Sequence, residues 1–451
     1  MRRILSFNAI SAVLLGTLAW AQGEHSVPLA AVGPELPYTE VLTPPMPVSG
    51  LQMPLTFSSE TPRRNFVMGS AQLGSAYDDN VLATPSGHIS DVSYLILPSV
   101  VIGQTRERWN WDFSYSPGFT INQRVTERNQ AAHNLYLLFD YRLTPHVTAQ
   151  VREGFEKSNT LFSGLLGSTP VGGPGPLQQP NTSVITPFAD RTANNSGLDL
   201  TYQFSASSLV GASGNFYFVN YATPANSTVP TYALIDSHAW GGNAFYAHRF
   251  SNGQWAGVTH NFQRLLFDTG PRTDVNRTLL FYSLPVGSLA TLSIWAGPEY
   301  STSVVSSLTT PASSMISQAH WDVAGGAELS WEAKKTSFRL GYTRQTTDGG
   351  GLSQAVNLQE GSGEVQQRLA TRLTASVGVG YGKNKPLSAL NGTASYRTWT
   401  GSAGFNYSFT DNLDLGLRYG RDQLQYGNTS SSNRNRAWVT VSYSFSRPLG
   451  R

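Results

Sequence analysis

Apolar and polar residues alternate with a period of two along most of the chain after residue 64. The clearest segment is Trp109–Ser116, in which every odd residue is aromatic and every even residue is polar or charged. Successive side chains of a β-strand point to opposite faces, so this pattern predicts a strand with one apolar face. The same alternation recurs around residues 198–204, 338–343, 373–381, 413–419 and 439–445. The chain has no run of eighteen consecutive apolar residues and no convincing 3.6-residue period, so the pattern does not favour helices.

Alternation of this kind occurs both in soluble β-sandwiches and in membrane β-barrels, and the second face of the strands separates the two. In a sandwich the apolar face meets another apolar face, whereas here the face opposite the aromatic one often consists of Gly, Ser and Thr. A barrel with lipid outside and water inside has this composition. In hydrocarbon every backbone N–H and C=O must be paired, so such strands have to close into a cylinder. A soluble β-core is the alternative interpretation.

The connections between the strands alternate in length, as they do in outer-membrane barrels with short periplasmic turns and long external loops. The short ones lie near Thr105, Pro145, Ser207, Asn252, Gly287, Ala333, Ala370 and Asp411. The long ones are Asp78–Ser90, Asn122–Ala132, Ser158–Ala193, Ala222–Ser237, Asp268–Asn276, Ser303–Gln318, Thr346–Gln354, Lys383–Ala394 and Gln425–Arg434. The pattern predicts an all-β, transmembrane, antiparallel up-and-down β-barrel of about 16–18 strands. The lower number applies if the weak segment Ala355–Arg368 and a neighbour do not form strands.

The positions of a few side chains provide a check on the predicted barrel. Glu153 and His260 fall on the lipid-facing parity of their strands, which would require a bulge or an interfacial position. Aromatic residues near strand ends predict girdles at the two headgroup levels of the membrane. These residues are Trp109, Tyr221, Trp255, Trp321, Trp331, Trp399 and Tyr443.

The chain divides into four segments. Residues 1–21 have the pattern of a signal peptide: basic Arg2 and Arg3, an apolar stretch, and the small-x-small motif that ends at Ala21. Residues 22–64 are rich in proline and predict a periplasmic tail or linker. Residues 65–446 form the predicted barrel, and residues 447–451 a short C-terminal extension.

Composition excludes several classes of function. The 451 residues include 13% charged residues, no cysteine, and a net charge of +3. Without a Lys/Arg cluster the chain offers no electrostatic footprint for nucleic acid. The absence of cysteine excludes disulfide frameworks, CxxC zinc sites and thiol catalysis.

No convincing catalytic, cofactor or metal site is present in the sequence, so an enzyme is not expected. His88-Ile89-Ser90 has the spacing of a His/Ser pair of outer-membrane phospholipases, but it lies in a predicted loop and is interpreted as chance. Asp78, Asp79 and Asn80 could offer oxygens to calcium, although their spacing is no EF-hand and a solvated loop tip is the simpler interpretation.

Over residues 65–446 the arrangement resembles Gram-negative outer-membrane porins. The segment Tyr77–Val81, which ends the first strand, is similar to the β-barrel porins often associated with exopolysaccharide genes. Porins end in a terminal aromatic residue; here Tyr443 and Phe445 match the alternation, but Ser446–Arg451 extends beyond them. The resemblance implies a bacterial outer-membrane protein in contact with outer-membrane lipid or lipopolysaccharide.

A barrel of this size is wide enough for a water-filled lumen, which predicts a channel for the passive passage of small hydrophilic solutes or saccharides. The alternative is a structural barrel that anchors a polysaccharide export or assembly complex through the proline-rich tail. Periplasmic export partners and a homo-oligomer remain open.

Charged residues on the lumen parity are the candidate site residues. We expect selectivity contributions from Arg152, Arg339 and Arg418; their mixed surroundings indicate no clear bias between anions and cations. The other pore-lining candidates are Asp112, Asp140, Arg142, Asp199 and Glu328. The Gly- and Pro-rich loop Ser158–Ala193 occupies the place of the loop that folds into the lumen of porins, with a mobile surface loop as the equal alternative.

Overall fold

A computed structural model describes residues 65–158, 190–222, 234–306, 315–388, 395–427 and 430–449. The expected signal peptide, the proline-rich tail, most of Ser158–Ala193 and the last two residues lie outside the described residues. No helix among the described residues is long and apolar enough to cross a membrane. The one helical element of the described ranges is a short 3-10 turn, Thr126–Arg128.

Eighteen antiparallel strands make up the described chain. They are β1 Phe66–Asp78, β2 Asp91–Thr105, β3 Trp109–Asn122, β4 Gln130–Thr144, β5 Val147–Ser158, β6 Asp190–Gln203, β7 Ser208–Ala222, β8 Ser237–Arg249, β9 Trp255–Phe267, β10 Arg272–Val286, β11 Ala290–Ser306, β12 Met315–Glu332, β13 Thr336–Thr347, β14 Val356–Ala370, β15 Leu373–Pro386, β16 Tyr396–Thr410, β17 Leu413–Tyr426 and β18 Ser430–Pro448. The weak segment predicted at Ala355–Arg368 is strand β14, so the barrel has eighteen strands and the count of sixteen is wrong. Strand β18 continues two residues past the predicted barrel end at 446.

The sheet closes because β1 pairs with both β2 and β18. The β1–β18 register is continuous from Phe66 opposite Pro448 to Asp78 opposite Arg436. Each strand therefore has a hydrogen-bonded neighbour on both sides, and the sheet has no open edge, as the hydrocarbon core of a membrane requires. The prediction of an all-β, closed up-and-down barrel is confirmed.

The two rims of the barrel differ in the length of their connections. At the rim where β1 begins and β18 ends, the turns are short, from two residues at 145–146 to five at 250–254. This is the periplasmic rim of an outer-membrane barrel. The opposite rim carries longer loops such as 79–90 and 223–236. Two predicted long loops are wrong: β9 and β10 are joined by 268–271 alone, and β17 and β18 by 427–429.

The outer wall is apolar and exposed, as a surface in contact with lipid must be. Leu198, Leu200 and Tyr202 on β6 are 44–52% exposed, and Trp321 on β12 is 70% exposed. This wall, together with closure, confirms the prediction of an outer-membrane barrel.

Glu153 and His260 do lie on this outer wall, but not because of bulges. The register is continuous through both residues. Instead each residue finds a polar neighbour: the Asn194 amide donates to Glu153, and His260 Nδ1 lies 2.9 Å from Thr278 Oγ1.

The inner wall of β7–β12 is less polar than predicted. Near the periplasmic rim it carries a cluster of buried apolar side chains, namely Leu209, Phe245, Ala247, Trp255, Leu279, Phe281, Trp295 and Ala324. Trp255, predicted in a lipid girdle, belongs to this inner cluster. Tyr221, predicted in the other girdle, also faces inward and packs against a second inner cluster. The outward aromatics Trp321, Trp399 and Tyr443 are 52–70% exposed, in agreement with the prediction.

Candidate functional site

All the charged residues proposed to line the pore occupy inward-facing positions of their strands. The contrast is clearest on β5, where Val151 is 41% exposed on the outer wall and the adjacent Arg152 is 3% exposed on the inner wall. On β17, outward Leu417 and Tyr419 flank inward Arg418 in the same way. Because successive residues of a strand alternate between faces, the parity of the sequence was enough to place these side chains.

Two of the predicted residues form a buried ion pair on the inner wall. Arg152 donates through Nε to Asp199 Oδ2 at 3.0 Å, and Nη2 of the same guanidinium also contacts this carboxylate. The side chain of Asp199 is only 15% exposed. The charge of Arg152 is therefore largely neutralised by its neighbour.

A third predicted residue, Asp140, is held between amides of the adjacent strands. Gln150 Nε2 donates to Asp140 Oδ1 at 2.6 Å, and Asn110 Nδ2 donates to Oδ2 at 3.4 Å. Gln150 lies opposite Asp199 in the β5–β6 register. The inner wall of β3–β6 thus carries a continuous polar row that extends from Asn110 to Asp199.

The remaining predicted residues are spread around the lumen and do not join this row. Asp112 and Arg142 lie on β3 and β4, and Glu328 lies on β12. Arg339 on β13 is exposed and lies opposite Glu364 of β14. Arg418 donates through Nη2 to Ser402 Oγ at 3.1 Å.

The inner wall also carries a buried ion pair that the site prediction omitted. Arg277 on β10 donates through Nε to Glu299 Oε2 on β11 at 2.7 Å, and the two side chains are 5% and 2% exposed. Glu299 also accepts from the backbone N–H of Thr346 at 3.0 Å and from its hydroxyl at 2.5 Å. Arg277 donates to the Thr346 carbonyl at 3.0 Å. This pair therefore binds the end of β13, although β13 does not pair with either strand.

The segment that follows, Asp348–Ala355, lies inside the barrel and is called the inner loop below. Tyr217 of β7 donates its hydroxyl to Asp348 Oδ1 at 3.3 Å, so the loop reaches a strand six places away from β13 in the sheet. The Ile235 N–H donates to the Gly351 carbonyl at 2.9 Å. At the other end of the loop, Gln354 Nε2 donates to the Ser388 carbonyl at 2.9 Å.

Apolar packing fixes the inner loop in addition to these hydrogen bonds. Ala355 packs with inward residues near the extracellular rim of β6–β10, and Leu387 and Ile235 pack against the same cluster. The other members of the cluster are Ala193, Tyr217, Val219, Ala239, Leu265, Phe267 and Val275. Removal of these side chains from water stabilises the loop position, at roughly 25 cal/mol per Å² of apolar surface. The loop consequently occupies part of the lumen on this side.

A third inner cluster lies where β1 and β18 close the barrel. Arg434 donates to Asp78 Oδ2 at 2.7 Å through Nε and at 2.5 Å through Nη2, and Arg436 contacts Asp422 at 2.5 Å. Arg128, from the loop between β3 and β4, lies close to this cluster. The pKa of Arg128 is lowered to about 10, mainly because the side chain is buried and in addition because Arg434 is positively charged.

The residues weighed as a calcium site have a different role at this closure. Asp79 accepts from the backbone and side-chain nitrogens of Asn435, at 2.7 and 2.6 Å. Asn80, which is fully buried, donates to the Asn433 carbonyl at 2.9 Å. Together with the Asp78 ion pair, these contacts attach the loop after β1 to β18, so the interpretation as a solvated loop tip is wrong. Within the described ranges, no group of three or more His, Cys, Asp or Glu side chains could hold a metal ion.

Solved outer-membrane channels resemble the structure at low similarity. OpdK of Pseudomonas aeruginosa is 11% identical, with a TM-score of 0.43 over 84% of this chain and 99% of its own. OccK2 (OpdF) of the same organism, solved in complex with glucuronate, is 12% identical with a TM-score of 0.43 over 84% and 98%. OccAB3 of Acinetobacter baumannii is 10% identical with a TM-score of 0.39 over 84% and 99%. No family model matches the sequence, and no curated protein matches it.

Proposed function

We propose that the protein is a porin-like channel for the passive passage of small hydrophilic solutes or saccharides across the outer membrane. The observation that carries this proposal is the closed barrel of eighteen strands with charged and amide side chains on its inner wall. A barrel of eight strands would be filled by its own side chains, whereas barrels of about 16–18 strands leave an aqueous channel.

The inner loop supplies the size limit of this channel. Glu299 holds Thr346 directly before the loop, Tyr217 binds the start of the loop and Ser388 binds its end, so the loop narrows the lumen near the extracellular rim. On the opposite part of the wall, the row from Asn110 to Asp199 offers hydrogen-bonding groups to a solute that passes the loop. Arg152 compensates one of the two carboxylates of this row, Asp199, so hydrogen bonding and the size limit act on a solute together with the one remaining negative charge, Asp140.

Planar-bilayer recordings of the purified, refolded protein test the proposal. We expect stepwise openings with linear conductance at low voltage, and swelling of protein-loaded liposomes in small sugars but not in large oligosaccharides. A sealed bilayer together with liposomes that do not swell in the smallest sugar would contradict the channel. Such a result would favour the alternative, a structural barrel that anchors an export complex.

The proposal includes the binding partners that the sequence predicts. The outer wall is in contact with outer-membrane lipid, and the lumen accepts the solute. Three expectations from the sequence remain predictions: a role for the tail at residues 22–64, binding of periplasmic export partners, and formation of a homo-oligomer. Pull-down with and without the tail, on the same purified chain, separates the anchor from the channel.

A further inference from the structure

The outer wall of β14–β17 carries a polar row just below the extracellular rim. Gln359, Lys383, Arg397 and Gln425 lie opposite one another on four successive strands, and Lys383 and Arg397 are the cations of this row. Each of these residues has the parity of an exposed apolar residue on its own strand, so the row faces outward. Neighbouring strands are about 4.8 Å apart, which brings Lys383 and Arg397 side by side.

No carboxylate on this wall compensates the row. Among the described residues of β13–β17, every Asp and Glu within a strand has the inward parity. Arg344, opposite Gln359 on β13, is paired with Asp322 of β12. Lys383, Arg397 and the next outward cation, Lys385, have no carboxylate within ion-pair distance in the described part of the chain.

The outward cations of β9 and β10 are arranged differently. On β9 and β10, Arg264 contacts Asp274 at 2.5 Å, and Arg272 lies 4.0 Å from the same carboxylate. Like charges directly opposite each other destabilise a sheet. The unpaired positions on β15 and β16 therefore cost stability unless an anion lies between them.

Directly below the cations lies a row of aromatic rings. Tyr342, Tyr381 and Trp399 have the same outward parity, two residues farther from the rim, and the rings of Tyr381 and Trp399 are 4.4 Å apart. Two residues along a strand span about 6.6 Å. One step farther from the rim, Leu340 is 51% exposed and Val379 62% exposed, whereas on β17 the exposed residue at this level is Arg421.

The order of these rows matches the layers of a lipid with an anionic head. Apolar side chains face the acyl chains, aromatic rings lie at the interface, and cations lie at the level of the charged headgroups. Because the rim with the longer loops is extracellular, this interface belongs to the outer leaflet.

We propose that Lys383, Lys385 and Arg397 form a binding site for the phosphate groups of lipid A in the outer leaflet, with Tyr381 and Trp399 beneath its sugars. This inference names one partner of the proposed outer-membrane protein and depends on its place in the membrane. It does not depend on channel activity.

Native mass spectrometry of the purified barrel in detergent, titrated with bisphosphorylated lipid A, tests the site. Lys383→Gln with Arg397→Gln should weaken binding, on the order of fivefold for each cation removed. The matched control Lys157→Gln with Arg272→Gln removes two outward cations from other strands and should leave binding unchanged. Lipid A without its phosphates should bind the native chain at least as weakly as bisphosphorylated lipid A binds the double variant, which keeps Lys385.

Three outcomes would overturn the site: undiminished binding by the double variant, equal binding of dephosphorylated lipid A, or equal binding of phosphatidylglycerol. The comparison between lipids uses the native chain alone, so it stands even if a variant fails to refold. Bilayer conductance of the double variant should equal that of the native chain, which separates failure of this site from failure of the channel.

Discussion

Asp78 and Arg434 form a buried ion pair across the line where the barrel closes, although 356 residues separate them in the chain. Their side chains are 6% and 2% exposed. The pair joins the end of the first strand to the last strand. It therefore stabilises closure itself, not only a local part of the sheet.

Asp78→Ala should destabilise the folded barrel by about 3–5 kcal/mol, because the Arg434 guanidinium would remain buried without its carboxylate. Urea unfolding in detergent micelles, followed by the heat-dependent shift in electrophoretic mobility, measures the change. Arg272→Ala is the control: this side chain is 45% exposed and 4.0 Å from Asp274, so it should cost at most about 1 kcal/mol. Equal effects of the two substitutions would contradict the role of the pair.

Glu299→Ala should release the inner loop and raise the single-channel conductance. The substitution removes the acceptor of the Thr346 N–H and leaves Arg277 buried without its carboxylate. Liposome swelling should then extend to larger sugars than the native chain admits. Glu364→Ala, at an exposed inward position of β14, removes a lumen carboxylate that does not contact the loop and should leave the size limit for sugars unchanged. An unchanged conductance in a folded Glu299 variant would show that the loop does not limit the channel.

Gly257→Ala should destabilise the barrel by about 1–3 kcal/mol through overpacking. A Cβ at this position would collide with the ring of Phe281, which lies opposite the glycine on the neighbouring strand, and with the Tyr246 carbonyl. Gly401→Ala on β16 meets no atom within 4 Å and should be neutral. The urea midpoints of the two variants, measured under identical detergent conditions, test this prediction: only the Gly257 variant should have a lower midpoint than the native chain.

Arg339→Gln should shift the reversal potential in a salt gradient toward cation preference, since this guanidinium is exposed on the inner wall. The double variant Arg152→Gln with Asp199→Asn removes a neutral pair and should leave the reversal potential where it was. If the double variant shifted the reversal potential more than the Arg339 variant did, Arg339 would not be a contributor to ion selectivity.

The strands and their faces could be predicted from the sequence because alternation depends only on nearest neighbours in the chain. This is why the pattern predicts the outward faces of β6 and β17, and Arg152 and Arg418 lie at inward positions of their strands. The assignment of aromatic residues to the lipid-facing side was wrong for Trp255. That assignment holds only where the inner wall of the barrel is polar, and the inner wall of β7–β12 is partly apolar. On β9 the inward residue Trp255 packs with Phe281 and Trp295 inside the barrel.

The inner loop could not be predicted, because its position depends on contacts between strands that are distant in sequence. Tyr217 and Asp348 are 131 residues apart, and nothing in the segment Gly349–Gln354 distinguishes it from an external loop. The loop Ser158–Ala193, predicted to fold inward, lies mostly outside the described residues, so that prediction stands untested. The site prediction also omitted Arg277 and Glu299. The alternation places Glu299 on the inner wall, but it does not identify Arg277 as its partner.

The continuous pairing of β1 with β18 places residues 65 and 449 side by side, with the Leu449 N–H 2.9 Å from the Asn65 carbonyl oxygen. Strand adjacency in this cylinder is therefore independent of where the polypeptide starts. A circularly permuted gene that fuses these two positions through a short linker, and opens the chain within 223–233 instead, would keep every neighbour of every strand and enclose the same water column.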